Sequence, residues 1–127
     1  MREFVEVDGR KVKLYKRKGR TGLRLNNKYI RDISEIKGLD SMTHLNHLIL
    51  DNNEISEIKG LETFVELKIL SINNNQITEI KGLDNLSKLF QLRLKGNQIT
   101  ELKGLDSLPK LSLLNLKIIL LKNNILR

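Results

Sequence analysis

The chain has 127 residues, no cysteine and a formal net charge of +8. The length suits one domain, and the absence of cysteine excludes disulfide bonds and thiolate metal sites. The first residues lack the apolar stretch of a secretory signal, and the longest apolar run, residues 118–121, is far shorter than the roughly 20 residues of a membrane span. We therefore expect a cytoplasmic protein.

Residues 1–32 predict a β-hairpin followed by a degenerate repeat. Apolar and polar residues alternate on both sides of Asp8-Gly9, a dipeptide that strongly favours a two-residue hairpin turn. A second turn at residues 18–22 leads to Leu23-Arg24-Leu25, which resembles the strand of a first repeat. We expect this segment to cap one end of a stack of repeats, where apolar core and an unpaired strand would otherwise be exposed.

Positive charge is concentrated in the same segment. Residues 1–37 contain twelve Lys/Arg and five Asp/Glu, a net charge of +7. The basic patch comprises Arg10, Lys11, Lys13, Lys16, Arg17, Lys18 and Arg20, with Tyr15 among them. Basic side chains can follow phosphates and an aromatic ring can stack on a base, so nucleic-acid or anionic-surface binding is the alternative function. A solubilising basic cap and a contact with a protein partner are the other two interpretations.

From residue 33 onwards the sequence repeats every 22 residues. Gly38, Gly60, Gly82 and Gly104 each follow a lysine and precede a leucine. Three apolar columns keep the same spacing: Leu45, Leu67, Leu89 and Leu111; Leu48, Leu70, Leu92 and Leu114; and Leu50, Ile72, Leu94 and Leu116. A polar column of Asn53, Asn75 and Asn97 follows, and then Ile55, Ile77 and Ile99.

Each column has a physical cause. In Leu-x-Leu the two leucines share one face of an extended strand, and stacked copies bury that face by pairing in parallel. Asparagine both donates and accepts hydrogen bonds, so a column of asparagines predicts a ladder that satisfies buried turn backbone. Glycine permits backbone angles that are costly for other residues. The segments 40–44, 62–66, 84–88 and 106–110 are too short for α-helices and predict short 3₁₀ turns.

The unit L-x-x-L-x-L-x-x-N-x-I-x-x-I-x-G-L resembles the short, 22-residue class of leucine-rich repeats. That class includes a phosphatase-1 regulatory subunit and bacterial internalins, and the resemblance covers about residues 33–117. It implies an α/β fold: a right-handed solenoid of about five repeats, with a parallel β-sheet on the concave face and short 3₁₀ turns on the convex face. It also implies a protein-interaction scaffold that recognises its partner through the strands.

The strand residues that point away from the core differ from one repeat to the next. They are His47, Ile49, Asp51, Ile69, Ser71, Asn73, Gln91, Arg93, Lys95, Leu113, Asn115 and Lys117. Packing does not dictate these identities, and three of them are aliphatic. Apolar side chains exposed among polar ones favour a binding patch, and the basic residues of the later repeats favour an acidic region on the partner. We predict that these residues bind another protein.

The sequence predicts neither catalysis nor a cofactor. It contains no H-E-x-x-H, no glycine-rich nucleotide loop and no G-x-S-x-G. The repeat places His44 on a turn and His47 on a strand, so this H-x-x-H pair predicts no metal site. A further column of carboxylates, each two residues before a lysine, predicts a solvated edge with modest ion pairing. It consists of Glu35, Glu57, Glu79 and Glu101.

The last residues, 118–127, leave the regular phase. The next ladder position falls on Ile119, and Asn124 restores a similar phrase about five residues late. Three interpretations stay open: an irregular last repeat that closes the stack, self-association through an exposed apolar end, and a chain shortened or frame-altered relative to a longer one. We expect one domain over residues 1–127, divided into 1–32, the regular repeats 33–117, and 118–127.

Overall fold

The computed structural model describes residues 3–111. The strands are β1 (Phe4–Val7), β2 (Arg10–Lys13), β3 (Tyr15–Arg17), β4 (Arg20–Arg24), β5 (His47–Ile49), β6 (Ile69–Ser71) and β7 (Gln91–Arg93). Two 3₁₀ helices span Ile33–Glu35 and Leu39–Ser41. Residues 3–111 contain no α-helix, because each segment between two strands turns too soon to nucleate one. Parallel strands are therefore joined in these residues by turns and short 3₁₀ helices.

Two hairpins precede the repeats. β1 and β2 pair antiparallel around Asp8-Gly9, and both turn residues have positive φ angles, 50° and 73°. That geometry matches the twist of the flanking strands, and it confirms the predicted hairpin. β3 and β4 form a second hairpin around Lys18-Gly19, with φ angles of 52° and 77°. The sequence predicted this turn but not the antiparallel pairing of β3 with β4.

The second hairpin leads into a parallel sheet. The sheet has the order β3-β4-β5-β6-β7, and β4 to β7 run parallel with Leu23, Leu48, Leu70 and Leu92 in one row. Leu23-Arg24-Leu25 therefore supplies the strand of a first repeat, as the Leu-x-Leu pattern predicted. Just after each strand, further backbone hydrogen bonds join neighbouring repeats, such as Leu50 N–H to Ser71 O at 2.7 Å.

The apolar columns form one continuous core beneath this sheet. Leu48 and Leu70 are completely buried and Leu92 is 3% exposed. Val5 and Val7 of β1 belong to the same core. Glu6 of β1 also exchanges two backbone hydrogen bonds with Lys37, each of 3.0 Å, so the first hairpin is attached to the repeat that contains Gly38.

The asparagine column bonds to buried backbone across repeats. Asn75 accepts from Ile55 N–H at 3.0 Å and donates to Leu50 O at 3.0 Å. The amide of Asn53 is placed in the same way, and it donates to Leu25 O at 2.9 Å. Asn97 accepts from Ile77 N–H at 2.9 Å. Each of these side chains thus ties its own turn to the preceding repeat.

The turns opposite the strands differ in part from the expectation. Of the four segments predicted to be 3₁₀ turns, the first contains the 3₁₀ helix Leu39–Ser41. The other three form successive turns, such as Phe64 N–H to Leu61 O followed by Leu67 N–H to Phe64 O. In the first segment the Ser41 hydroxyl donates within its own turn, to Gly38 O at 2.9 Å. In a later segment Asn85, at the equivalent position, donates to the preceding repeat instead.

Candidate functional site

The outward side chains of the sheet form three rows, which we call the strand face. The parallel register places His47, Ile69 and Gln91 in the first row and Ile49, Ser71 and Arg93 in the second. Asp51, Asn73 and Lys95 follow the strands and form the third row. The structure thus brings nine of the twelve predicted partner-binding residues together. Four predicted residues lie outside the described residues: the partner-binding residues Leu113, Asn115 and Lys117, and the ladder residue Asn124.

The first two rows contain the aliphatic side chains that the sequence singled out. Ile49 and Ile69 are both half-buried and lie diagonally across adjacent strands. Arg93 is exposed at the far end of the second row. Ser71 differs from the expectation, because it is completely buried and its hydroxyl donates to Asp51 Oδ1 at 2.7 Å. It is therefore covered by its neighbours even though it belongs to the strand face.

The third row is a second ladder of hydrogen bonds. Asn26 Oδ1 accepts from Asp51 N–H at 3.1 Å, Asp51 Oδ1 accepts from Asn73 N–H at 2.8 Å, and Asn73 Oδ1 accepts from Lys95 N–H at 2.9 Å. Asp51 and Asn73 thus hold the backbone of the next repeat. Their part in the fold was not predicted because the residue type in this column changes from Asp51 to Asn73 to Lys95.

The second hairpin extends the strand face beyond the first repeat. Gly22 lies beside His47 and Arg24 lies beside Ile49 in the parallel register. The ring of Tyr15 occupies the space above Gly22, where a β-carbon would overlap it, and its hydroxyl lies 3.3 Å from His47 Nδ1. Arg24 was not among the predicted site residues, although its place between Leu23 and Leu25 is the same as that of Ile49 between Leu48 and Leu50.

A cleft of about 520 Å³ lies where the second hairpin meets the strand face. We call it the cationic cleft; it is lined by Tyr15, Arg17, Lys18, Arg20, Arg24 and His47. The pKa of His47 is lowered from its ordinary value of 6.5, first by burial and then by the positive charges of Arg20, Arg93 and Lys68. The cleft and the adjacent strand face therefore share a positive electrostatic environment.

The predicted basic patch is divided rather than continuous. Arg17, Lys18 and Arg20 line the cationic cleft, whereas Arg10 lines a separate cleft with Tyr29. Lys16 pairs with Glu3 at 3.2 Å. Lys11 lies 4.6 Å from the centre of the Phe4 ring, and Lys13 is exposed on β2. The patch is divided between the first hairpin, which contains Arg10–Lys13, and the second hairpin, which contains Arg17, Lys18 and Arg20.

The carboxylate column forms an exposed, ion-paired edge, which we call the turn edge. It comprises Asp32, Glu57, Lys59, Glu79, Lys81, Glu101 and Lys103. Lys81 lies 2.8 Å from Glu57 of the preceding repeat and 4.0 Å from Glu79 of its own. Hydrogen bonding to Lys81 lowers the pKa of Glu57.

The N-terminal end of the turn edge differs from the rest. Lys59 pairs with Asp32 at 3.0 Å, so aspartate takes the place that the sequence analysis gave to Glu35. The Ser34 hydroxyl and backbone N–H, followed by Lys59, lower the pKa of Asp32 to about 2. Residues 3–111 contain no cluster of three potential metal ligands among His, Cys, Asp and Glu. Within the same residues, no helix has the length and apolar character needed to cross a bilayer.

Comparisons with known proteins agree with this geometry. Residues 43–85 match the family of Leucine Rich repeats (2 copies). Internalin (inlF) from Listeria monocytogenes str. 4b F2365 is 37% identical to this chain with a TM-score of 0.63. Internalin C2 (inlC2) from the same strain is 31% identical, also with a TM-score of 0.63. No curated protein matches the chain.

The two internalins are longer proteins. The similarity covers 71% and 70% of this chain but only 26% and 38% of the two internalin chains. Domains of this architecture generally present an extended surface to another protein and are typically not enzymes. The parallel Leu-x-Leu strands, the 22-residue spacing and these similarities identify the repeats of this chain as leucine-rich repeats of the short class.

Proposed function

We propose that this chain is a non-catalytic interaction module that binds a partner protein through the strand face. The observation that carries the proposal is the adjacency of Ile49 and Ile69, two half-buried aliphatic side chains surrounded by polar ones. A small apolar centre with a polar rim is typical of protein interfaces. Gln91 and Arg93 continue the surface on β7, where they extend the polar rim.

The proposal includes the arrangement of the whole chain. We propose a single domain over residues 1–127 in which the sheet lines the concave face of a right-handed solenoid. The first hairpin would cap its N-terminal end. Burial of Val5 and Val7 in the common core supports the cap, as do the two backbone bonds between Glu6 and Lys37. Without such an element the apolar columns would be open to water at that end.

Nucleic-acid binding through the basic hairpin is the weaker candidate. A phosphate track requires cations in a continuous line, whereas Arg10 and Arg17 belong to different clefts. Base stacking requires a free ring face. The Tyr15 ring lies over Gly22 on one side and has the guanidinium of Arg24 5.4 Å from its centre.

A pair of double variants tests the strand-face proposal. Ile69→Asp/Arg93→Glu changes the centre and rim of the proposed interface. Val65→Asp/Lys110→Glu makes the same chemical changes at exposed positions away from the strands. Affinity capture from cells that make the protein is compared for wild type and both variants, and circular dichroism checks that each variant is folded.

We expect the strand-face variant to lose the captured partner and the control variant to keep it. If Ile69 and Arg93 are among the few residues that carry most of the binding energy, their loss costs about 2 kcal/mol or more, which is more than a tenfold loss of affinity. Equal recovery of the partner by wild type and the strand-face variant would remove the strand-face assignment.

A further inference from the structure

The cationic cleft has a composition that its place in the fold does not explain. Arg17 and Arg20 face each other across the end of the second hairpin, and Arg24 follows on the same strand. Together with Lys18 they bring four cations to a cleft of about 520 Å³, and no carboxylate is among its lining residues. Bringing four like charges together is unfavourable without a counter-charge, so the cleft is suited to an anionic ligand.

The cations of the turn edge show the contrast. Lys59, Lys81 and Lys103 each lie within 4.0 Å of carboxylates. In the described part of the chain, by contrast, Arg17 and Arg20 form no salt bridge. The groups that lower the pKa of His47 after burial are also all cations. The positive field of the cleft is therefore not cancelled by the fold.

The shape of the cleft favours a polypeptide over a nucleic acid. The Tyr15 ring in the cleft lies over Gly22 and beneath Arg24, and its hydroxyl contacts His47. The cleft also opens onto the aliphatic part of the strand face, because Arg24 lies beside Ile49 in the sheet register. An extended segment on Ile49 would continue directly into the cleft.

We propose that the cationic cleft binds an acidic segment, rich in Asp and Glu, of the same protein that occupies the strand face. This inference rests on the proposed function. Arginine guanidinium groups bind carboxylates through paired hydrogen bonds, and Arg17, Arg20 and Arg24 are placed to supply them. The apolar residues that precede or follow the acidic segment contact Ile49 and Ile69.

The test measures peptide binding to the full chain by fluorescence anisotropy. The probe is a fluorescein-labelled peptide of seven glutamates, and the uncharged reference is the same peptide made of glutamines. The cleft variant is Arg17→Gln/Arg20→Gln. The matched control is Arg10→Gln/Lys13→Gln, which removes the same charge from exposed positions on the first hairpin.

We expect the glutamate peptide to bind wild type and the control variant with similar affinity. It should bind the cleft variant at least about tenfold more weakly, because that variant lacks two charged hydrogen-bond donors. The glutamine peptide should not bind detectably. Equal weakening by both variants would show general attraction to a basic protein and overturn the proposal. Tighter binding of a labelled seven-residue oligouridine, lost in the cleft variant, would also overturn it in favour of nucleic acid.

Failure here is distinguishable from failure of the proposed function, because the peptide titration uses no natural partner. If the cleft variant binds the glutamate peptide as wild type does while the strand-face variant still loses its partner, only the acidic-segment proposal is wrong. If the peptide binds in the cleft but the strand-face variant keeps its partner, the strand-face assignment is wrong, and with it the claim that one protein occupies both.

Discussion

The turn edge and the strand face both carry acidic and basic side chains but arrange them differently. On the turn edge, Glu57, Lys81 and Glu79 form a chain of contacts between 2.8 and 4.0 Å. By contrast, Arg93 on the strand face and Arg20 in the adjoining cleft place positive charge near His47 and lower its pKa. The repeat explains the first arrangement, because one Glu-x-Lys pair recurs every 22 residues and each copy meets the next.

The difference shows that charged residues at repeated positions pair with each other, whereas cations at variable positions remain free to pair with a partner protein. Positions that stay constant between repeats bond to the neighbouring repeat: Lys81 pairs with Glu57 on the turn edge, and Asn75 of the asparagine ladder bonds to backbone atoms of residues 55 and 50. Among the variable positions of the strand face, Asp51 also bonds to the next repeat, whereas Arg93 forms no salt bridge within residues 3–111. The varied surface is therefore where a partner's charge and shape are best accommodated.

The distinction between core and strand face predicts that core residues stabilise the fold much more than strand-face residues do. Leu70→Ala empties a completely buried site and should lower the free energy of unfolding by about 2–5 kcal/mol. Its neighbour Ile69 is only half-buried, so Ile69→Ala should cost less than about 1 kcal/mol. Urea denaturation of the two variants checks this, and similar losses for both would contradict the division into core and surface.

The glycines beside the turn edge give the next largest effect. Gly82 has a φ angle of 75°, and a β-carbon there would overlap the Ile58 carbonyl oxygen of the preceding repeat. Gly60 has a φ angle of 77°, but nothing lies within 4 Å of the added atom. Gly82→Ala should therefore destabilise by about 1–3 kcal/mol and Gly60→Ala by clearly less. Thermal unfolding separates them, and a larger loss for Gly60→Ala would refute the contact between repeats.

Asp51 is a strand-face residue that also stabilises the fold. It lies on the strand face, yet it accepts from the Ser71 hydroxyl and the Asn73 backbone. Asp51→Ala should destabilise by about 1–2 kcal/mol because those donors lose their acceptor. Asp51→Asn keeps an acceptor oxygen, and the next repeat uses Asn73 in the same place, so it should be nearly neutral. Chemical denaturation that finds both variants neutral would make Asp51 a surface residue only.

The ion pairs of the turn edge should give the smallest effect. Lys81 lowers the pKa of Glu57 below 4.5, so the pair contributes stability above that pH and loses it as the pH falls below 4.5. Lys81→Gln should lower the unfolding midpoint slightly at pH 7 and not at pH 2, and added salt should reduce the difference. Lys110→Gln, at an exposed position, is the control. An effect of Lys81→Gln that persists at pH 2 would contradict the pairing.

The sequence predicted those features that depend on the period. Leu48 and Leu70 are buried in register, and Asn75 bonds across repeats, because each position meets an equivalent one 22 residues away. The repeat pattern could not predict contacts between residues at non-equivalent positions. The Tyr15 ring over Gly22 depends on how a hairpin folds onto the sheet, and the burial of Ser71 depends on the sizes of its neighbours.

The most direct measurement of the central claim is site-specific photo-crosslinking. A photoreactive amino acid is placed at Gln91 on the strand face or at Val65, which is 48% exposed on a turn, and the cells are irradiated. The strand-face proposal predicts that the partner is joined covalently to the protein labelled at position 91 and not at position 65. A partner joined at position 65 but not at position 91 would contradict it.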